Sequence, residues 1–441
     1  SRLHLINRFG SADPGQLVVR AVAVSDTIVR HTWARIWISM PMFFVIAGAI
    51  VGPTGLGWAS FDLGSTAVET LTELTLALLL FADAATLDFN QVRDDAKMPG
   101  RLLFLAFPLV VMMGTLIGYL LFPDVKIGFM LLVGAILAPT DAALGLPIFN
   151  NPRVPVRIRR TLNVESGLND GLATPLVTLF IALTLEEMGG GEQGHWLISA
   201  VGEIAIAVGV GVALGLWGGW LFVHAVQKKW TSNVARQIGN PALALLVFFV
   251  TKELGGNGFV AVFVGGILFG YISRHVLHDA IEYTEITGTF LSLFVWTIFG
   301  MVIVIPLLIN FTLLAFLYAI LSLTVVRMIP VAVSMIGTCL RRDTTLIMGW
   351  LGPRGLASVV FLVMAYEAAH EAHVAIDLLV ATVGWTIFLS VILHGASALP
   401  LANWYGRRLE NAGTDIPEMI EVAEPKTLRR KAFHIRNSEG R

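Results

Sequence analysis

Charge is scarce in this sequence. Charged residues make up only 14% of its 441 residues, against roughly 25% in an ordinary soluble domain. Hydrophobic residues account for 56%. Such a composition excludes a typical water-soluble globule and indicates an integral membrane protein.

Three other absences narrow the function. The single cysteine, Cys339, excludes an internal disulfide. The formal net charge of −1 gives no basis for nucleic-acid binding. No glycine is followed by lysine, so the sequence lacks a phosphate-binding loop ending in Gly-Lys-Ser or Gly-Lys-Thr, the usual site for ATP-driven pumping. Any transport is therefore expected to use another gradient.

Apolar runs of about 17 to 25 residues are long enough to cross a membrane as helices. The sequence contains twelve, at 36–51, 66–83, 101–122, 127–147, 161–186, 196–222, 238–254, 257–272, 284–307, 309–338, 344–369 and 375–403. The predicted fold is an all-α polytopic membrane protein whose membrane domain covers 36–404.

Lysine and arginine residues are unevenly distributed among the connections. Every second connection is basic, and these connections together contain twelve lysine and arginine residues. The intervening connections carry only Lys126 and Lys252. Because basic residues accumulate in short cytoplasmic loops, this alternation predicts that the C-terminal tail, residues 405–441, is cytoplasmic.

The first 35 residues form no clear span. They contain seven charged residues, and the first residue is Ser1 rather than methionine. Two interpretations stay open: the chain is processed or truncated, or residues 16–29 lie along the membrane interface as an amphipathic helix.

Two predicted spans should be interrupted. The fourth contains Pro139 at mid-membrane, and the eleventh contains Gly-Pro-Arg-Gly at 352–355. Proline removes a backbone donor and glycine weakens a helix, so both spans should unwind locally. The two spans run in opposite directions, as an inverted repeat requires, and such a pair of broken, crossing helices often marks a transporter's substrate site. Two unrelated proline kinks are the alternative.

The ionisable residues inside the predicted spans include Asp141, Glu165, Asp170, Arg327 and Arg354. At roughly 2.5 to 3.5 kcal/mol each, they would cost on the order of 15 kcal/mol if unpaired, so they are expected to pair or to bind ions. Glu165 and Arg354 are expected to form a structural pair. One alternative is that such salt bridges hold every acid and only orient helices. A structural role is favoured for Glu165 and Arg327. Asp83, at the end of the second span, is expected to be a water-exposed helix-terminal carboxylate, the alternative being a place in the ion's path.

Oxygen ligands suited to Na⁺ cluster in the fourth and fifth spans. Ser166 and Asp170 are four residues apart on the fifth span, with Asn169 on the adjacent stripe. Thr140 and Asp141 add a hydroxyl and a second carboxylate. Because burial makes a carboxylate easier to protonate, one site can bind either a cation or a proton, which is the chemistry of an exchanger.

Five segments resemble, in order and spacing, the NhaP-type monovalent cation:proton antiporters, relatives of the animal sodium/proton exchangers. They read APTDAA, NVESGLNDG, EITGTFLSLFVWTIFG, GPRGLASVV and LHGASALPL, and the resemblance covers 36–404. It implies a homodimer of thirteen-helix protomers in a plasma or inner membrane, with a core domain that moves to give alternating access. It implies a transporter rather than an enzyme, with no cofactor, that exchanges Na⁺, or Li⁺ or K⁺, for H⁺. The twelve clear spans leave the family's first helix unrecognised.

The resemblance also assigns roles. Asp170 is implied to be the carboxylate that binds cation and proton, and Ser166, Thr140 and Asp141 to be further ligands of Na⁺. A supporting polar network is implied for Asn169, Glu165, Arg354 and Arg327. An asparagine before the aspartate is typical of the electroneutral branch, so Asn169 implies an exchange of one Na⁺ for one H⁺.

Two rival functions remain at this stage. Asp141 and Asp170 could share a proton as the dyad of an intramembrane aspartyl protease, but Asn169, Arg327 and Arg354 have no role in that mechanism. A cation channel is the other rival. Paired acids and bases where broken helices cross favour occlusion over an open pore.

Overall fold

The computed structural model describes residues 39–87, 95–189, 196–276, 278–410, 416–420 and 422. These residues form helices and no strand, as the sequence predicts. Residues 1–35, with the expected interfacial or unrecognised first helix, lie outside the described part.

The described part of the chain contains fourteen helices. In chain order they are α1 (Met40–Val51), α2 (Thr66–Ala85), α3 (Lys97–Leu121), α4 (Ile127–Ile136), α5 (Ala142–Phe149), α6 (Val156–Glu187), α7 (Trp196–Gln227), α8 (Asn233–Glu253), α9 (Gly258–Ser273), α10 (His278–Phe299, continued by the wider turn Gly300–Val304 and by Ile305–Ile309), α11 (Leu313–Ser334), α12 (Arg342–Trp350), α13 (Leu356–Glu371) and α14 (Asp377–Glu410).

Seven of the described helices are long and apolar enough to cross a membrane: α3, α6, α7, α8, α10, α11 and α14. α1, α4 and α9 are shorter apolar helices. Each of the twelve predicted segments overlaps at least one described helix, and the count of twelve spans stays a prediction. The predicted fourth span consists of α4 and α5, and the predicted eleventh of α12 and α13.

Small residues bring α7 close to α9. A methyl group added at Gly211 would lie 2.6 Å from the Ala261 carbonyl oxygen, and one at Gly215 would lie 2.6 Å from the Gly265 carbonyl oxygen. Only glycine allows this approach, as is common between membrane helices. The opposite side of α7 exposes large apolar side chains, Trp217 among them, as a lipid-facing surface requires.

A short segment after α14 packs against the chain. Its single 3₁₀ turn, Pro417–Met419, contains the fully buried Glu418. Glu418 Oε1 accepts hydrogen bonds from the Arg341 N–H at 2.8 Å and the Thr344 hydroxyl at 2.7 Å. Arg157 donates to the Pro417 carbonyl at 2.6 Å. The segment therefore contacts the first residues of both α6 and α12.

Candidate functional site

The two predicted interruptions lie against each other. α4 ends at Ile136 and α5 begins at Ala142, while α12 ends at Trp350 and α13 begins at Leu356. The Asp141 N–H donates to the Pro353 carbonyl at 2.8 Å. Backbone groups that the two prolines release from their helices are thus satisfied across the pair.

Asp141 caps two helices at once. Its Oδ1 accepts from the Ala143 N–H at 2.6 Å, and its Oδ2 accepts from the Leu356 N–H at 3.0 Å. The first N–H groups of a helix have no partner within it and carry partial positive charge, so both α5 and α13 stabilise a carboxylate here. A methyl group at Gly355 would overlap this carboxyl group, which explains the glycine.

Side chains of the second interruption hold the carbonyls of the first. The fully buried Arg354 donates through Nη1 to the Ala138 carbonyl at 2.7 Å and lies 3.3 Å from that of Pro139. The Ser358 hydroxyl donates to the Ile136 carbonyl at 2.7 Å, at the end of α4. Ser358 was missed by sequence reasoning, because its partner is a backbone group that leaves no mark in the sequence.

Glu165 forms an ion pair with Arg327 rather than with Arg354. Glu165 Oε1 lies 2.6 Å from Arg327 Nη2, and each side chain is 2% exposed. The expected pairing of Glu165 with Arg354 is therefore corrected. The guanidinium of Arg354 is held by the carbonyls that the first interruption releases, whereas Arg327 reaches α6 from α11 and passes close to Gly352.

Three polar side chains predicted for the site form one hydrogen-bonded set. The Thr140 hydroxyl lies 3.0 Å from that of Ser166 and accepts from Asn169 Nδ2 at 2.7 Å. All three side chains are buried. Asn169 Oδ1 has no hydrogen-bond partner among the described residues. An acceptor oxygen without a donor is what a cation ligand requires.

Asp170 follows Asn169 on α6 and is half-buried. Its carbonyl accepts from the Thr174 hydroxyl at 2.9 Å, so α6 is regular here. Asp83 of α2 lies against the same helix, since its Cβ would be 3.9 Å from a methyl group at Gly167, three residues before Asp170. Asp83 is half-buried near the end of α2, and its expected contact with water stays a prediction.

Two polar residues of α14 also reach the second interruption and were not assigned from the sequence. Ser390 contacts the Arg354 backbone and His394 contacts the Trp350 carbonyl. His394 belongs to the segment LHGASALPL, which carried the resemblance but suggested no role for the imidazole.

Residues 21–404 match the family described as the transmembrane sodium/hydrogen exchanger. The chain is 26% identical over 401 residues to a K⁺/H⁺ antiporter NhaP of Alkalimonas amylolytica, a match that covers 88% of this chain and 66% of the relative. It is 26% identical over 357 residues to a probable Na⁺/H⁺ antiporter of Methanocaldococcus jannaschii, covering 74% of this chain and 82% of the relative.

A solved structure has the same fold. The sodium proton antiporter MjNhaP1 of Methanocaldococcus jannaschii at pH 8 superposes with a TM-score of 0.68 at 21% identity, covering 86% of this chain and 95% of that one. The chain spans less than two thirds of some relatives, for example 43% of a K⁺/H⁺ antiporter NhaP2 of a Shewanella strain. With its match to the family across 21–404 and its long apolar helices, the chain is a multi-pass integral membrane protein that belongs to the sodium/hydrogen exchanger family.

Proposed function

We propose that this protein is a secondary active antiporter that exchanges a monovalent cation, Na⁺, Li⁺ or K⁺, for a proton. The observation that carries the proposal is the buried set of Thr140, Ser166 and Asn169, beside Asp170 and against the two helix interruptions. Membership of the exchanger family supports it. Relatives bear the names of both Na⁺/H⁺ and K⁺/H⁺ antiporters, so the proposal leaves the choice of cation open.

In this proposal Asp170 binds the cation and the proton in turn. The hydroxyls of Ser166 and Thr140 and the free Oδ1 of Asn169 supply neutral oxygens, which suit an alkali cation. Each carboxylate oxygen can accept two bonds. Asp141 can therefore contact the cation while it caps both helices. Glu165, Arg327 and Arg354 hold the helices around the site.

The double cap on Asp141 bears on stoichiometry. Both of its carboxylate oxygens accept from helix N-termini, so Asp141 is assigned to holding the two interruptions, and Asp170 is the one carboxylate that exchanges a proton. One carboxylate that carries either one cation or one proton gives electroneutral exchange. The same contacts argue against a protease, because a catalytic dyad requires the two aspartates to share a proton.

We also propose an architecture for this antiporter. It has twelve spans between 36 and 404, arranged as an inverted repeat with two broken, crossing helices. It forms a homodimer in a plasma or inner membrane, works by alternating access, and has a cytoplasmic tail. The contact between the two interruptions supports the broken pair. The tail segment that holds Glu418 lies beside Arg341 and Arg157, in connections rich in basic residues, which supports its cytoplasmic side.

Dissipation of a pH gradient in proteoliposomes by Na⁺, K⁺ and Li⁺ tests the proposal. Asp170→Asn should abolish cation-dependent proton movement and keep the melting temperature near that of the parent. Glu253→Gln, a matched change at the exposed end of α8, should leave exchange intact. Near-normal exchange by well-folded Asp170→Asn would overturn the assignment.

Separate measurements test the stoichiometry of exchange and the competition between cation and proton. The rate should be bell-shaped in pH, because protons displace the cation at low pH and become scarce for the return step at high pH. Raising the cation concentration should move the acidic limb to lower pH. Clamping the membrane potential at zero or at a large negative value should leave the rate unchanged, and a sustained transport current would refute one-to-one exchange.

A further inference from the structure

A polar stripe on α14 forms hydrogen bonds with the residues of the second interruption. Ser390, His394 and Ser397 follow at spacings of four and three, so they share one face of the helix. The Ser390 hydroxyl accepts from the Arg354 N–H at 2.6 Å and lies 3.0 Å from the Arg354 carbonyl. The indole N–H of Trp350 donates to Ser397 Oγ at 3.0 Å. Both ends of the interruption, residues 350 and 354, are thus tied to α14.

His394 lies at the centre of this stripe. Its Nε2 is 2.8 Å from the Trp350 carbonyl oxygen, and its Nδ1 is 3.1 Å from the Ser390 carbonyl oxygen and 3.2 Å from the Ser390 hydroxyl. The imidazole also packs on the Trp350 ring, with centroids 4.9 Å apart. One side chain therefore fixes both the last carbonyl of α12 and the hydroxyl that holds Arg354.

The charged groups that act on His394 are Arg354 and Arg327, both cationic. The imidazole is 1% exposed. His394 therefore lies enclosed beside two cationic side chains.

Four hydrogen bonds link the backbone held by this stripe to the proposed cation site. Pro353, beside Arg354, accepts from Asp141, and Leu356 donates to the same aspartate. Arg354 itself holds the carbonyl of Ala138. Asp141 is covalently joined to Thr140, which accepts from Asn169. A shift of the 350–354 backbone would therefore move the oxygens around Asp170.

We propose that Ser390 and His394 are positioning residues that set the cation affinity of the site by fixing the second interruption, without contacting the cation. The proposal rests on the proposed exchange function. Loss of groups that orient the ligands of a metal ion typically reduces its affinity by about 10- to 100-fold. The same range is expected for removal of the imidazole.

The test uses the full chain in proteoliposomes, with Na⁺ and K⁺ as the probes. His394→Ala should raise the cation concentration at half-maximal rate by about 10-fold or more, with little change in the rate at saturation. The acidic limb of the pH profile should move up by about one pH unit, because a cation bound about ten times more weakly competes less well with protons. Ser390→Ala should shift both readouts in the same direction. His394→Gln should restore much of the affinity, since its amide N–H can donate to Trp350.

The matched control is Thr386→Val. Thr386 is fully buried one turn before Ser390 on α14, and among the described residues its hydroxyl bonds only to the Thr382 carbonyl of the same helix. It should leave the affinity unchanged. A fall in the saturated rate of His394→Ala with unchanged affinity would overturn the proposal, and so would loss of proton coupling in His394→Gln, which would make the imidazole a proton carrier. If His394→Ala does not fold, the same measurements on Ser390→Ala test the proposal.

Cation-dependent thermal stabilisation in detergent separates this proposal from the function on which it rests. It measures binding without transport, and His394→Ala should need about 10-fold more cation for the same stabilisation. Equal stabilisation of parent and variant would refute the positioning role even if exchange occurs. Absence of exchange in the parent, with stabilisation that still depends on His394, would refute the exchange function alone.

Discussion

Removing either partner of the Glu165 and Arg327 pair should destabilise the protein strongly. Each side chain is 2% exposed and the charged atoms are 2.6 Å apart, so the remaining charge would lose its ion-pair partner. Breaking a buried pair in this way costs about 3 to 5 kcal/mol. At an effective dielectric of about 20, the Coulomb attraction of two unit charges at this distance is about 6 kcal/mol. Desolvation of the two ions offsets part of that attraction, so we expect a coupling energy of about 3 to 4 kcal/mol.

A double-mutant cycle measures this coupling. Glu165→Ala, Arg327→Ala and the double variant are unfolded in the same detergent, and the double variant should lose less stability than the two single losses added together. Arg354 provides the comparison, since its guanidinium bonds to carbonyl groups, and its coupling to Glu165 should be smaller. Additive losses for Glu165 and Arg327, together with strong coupling to Arg354, would show that the pairing described here is wrong.

Three further changes test other contacts by melting temperature. Gly355→Ala places a methyl group on the Asp141 carboxyl group, so it should force the half-helices apart, cost at least about 1 to 3 kcal/mol and abolish exchange. Asp343, at the start of α12 outside the predicted spans, has its pKa lowered from 3.8 to about 2, first by its hydrogen bonds from Arg341. Because the folded-state pKa is depressed, its contribution to stability is complete above about pH 4 and is lost as the pH falls toward 2, and Asp343→Asn should remove that pH dependence. Glu418→Ala removes a buried carboxylate that accepts from the Arg341 N–H and the Thr344 hydroxyl and should cost about 1 to 3 kcal/mol.

Gly355→Ala and Glu418→Ala each have a matched control. Gly209→Ala adds a methyl group where nothing lies within 4 Å, so it should be neutral or slightly stabilising. Glu410→Ala removes a carboxylate that is 56% exposed and should cost no more than about 1 kcal/mol. Losses as large in the controls as in the tests would mean that general disturbance, and not the named contact, causes the effect.

The sequence alone predicted the positions of both helix interruptions, because a proline beside polar residues within an apolar run favours local unwinding of the helix. Proline by itself was not sufficient, since α6 continues through Pro175 and α14 through Pro400. What distinguishes Pro139 and Pro353 is that the groups they release find partners in the opposite interruption. That arrangement depends on tertiary packing, which no local pattern encodes.

Partner choice was harder to predict than position. Spacing on α6 put Ser166 and Asn169 on adjacent stripes, and both contact Thr140. Which arginine pairs with Glu165 depends instead on where α11 crosses α6. The roles of Ser358, Ser390 and His394 were missed because their key partners are backbone carbonyl and N–H groups, which every residue has.

The hydrogen bond from Leu356 to Asp141 joins residues 215 positions apart in the chain. At about 5 to 20 residues per second, a ribosome makes the second partner roughly 10 to 40 s after the first. During that interval Asp141 can cap α5, but its second oxygen and its N–H lack their final partners. The nascent first half must therefore keep this position in contact with water, the insertion machinery or another chain until α13 emerges. The cation site is then one of the last parts of the protein to be completed during synthesis.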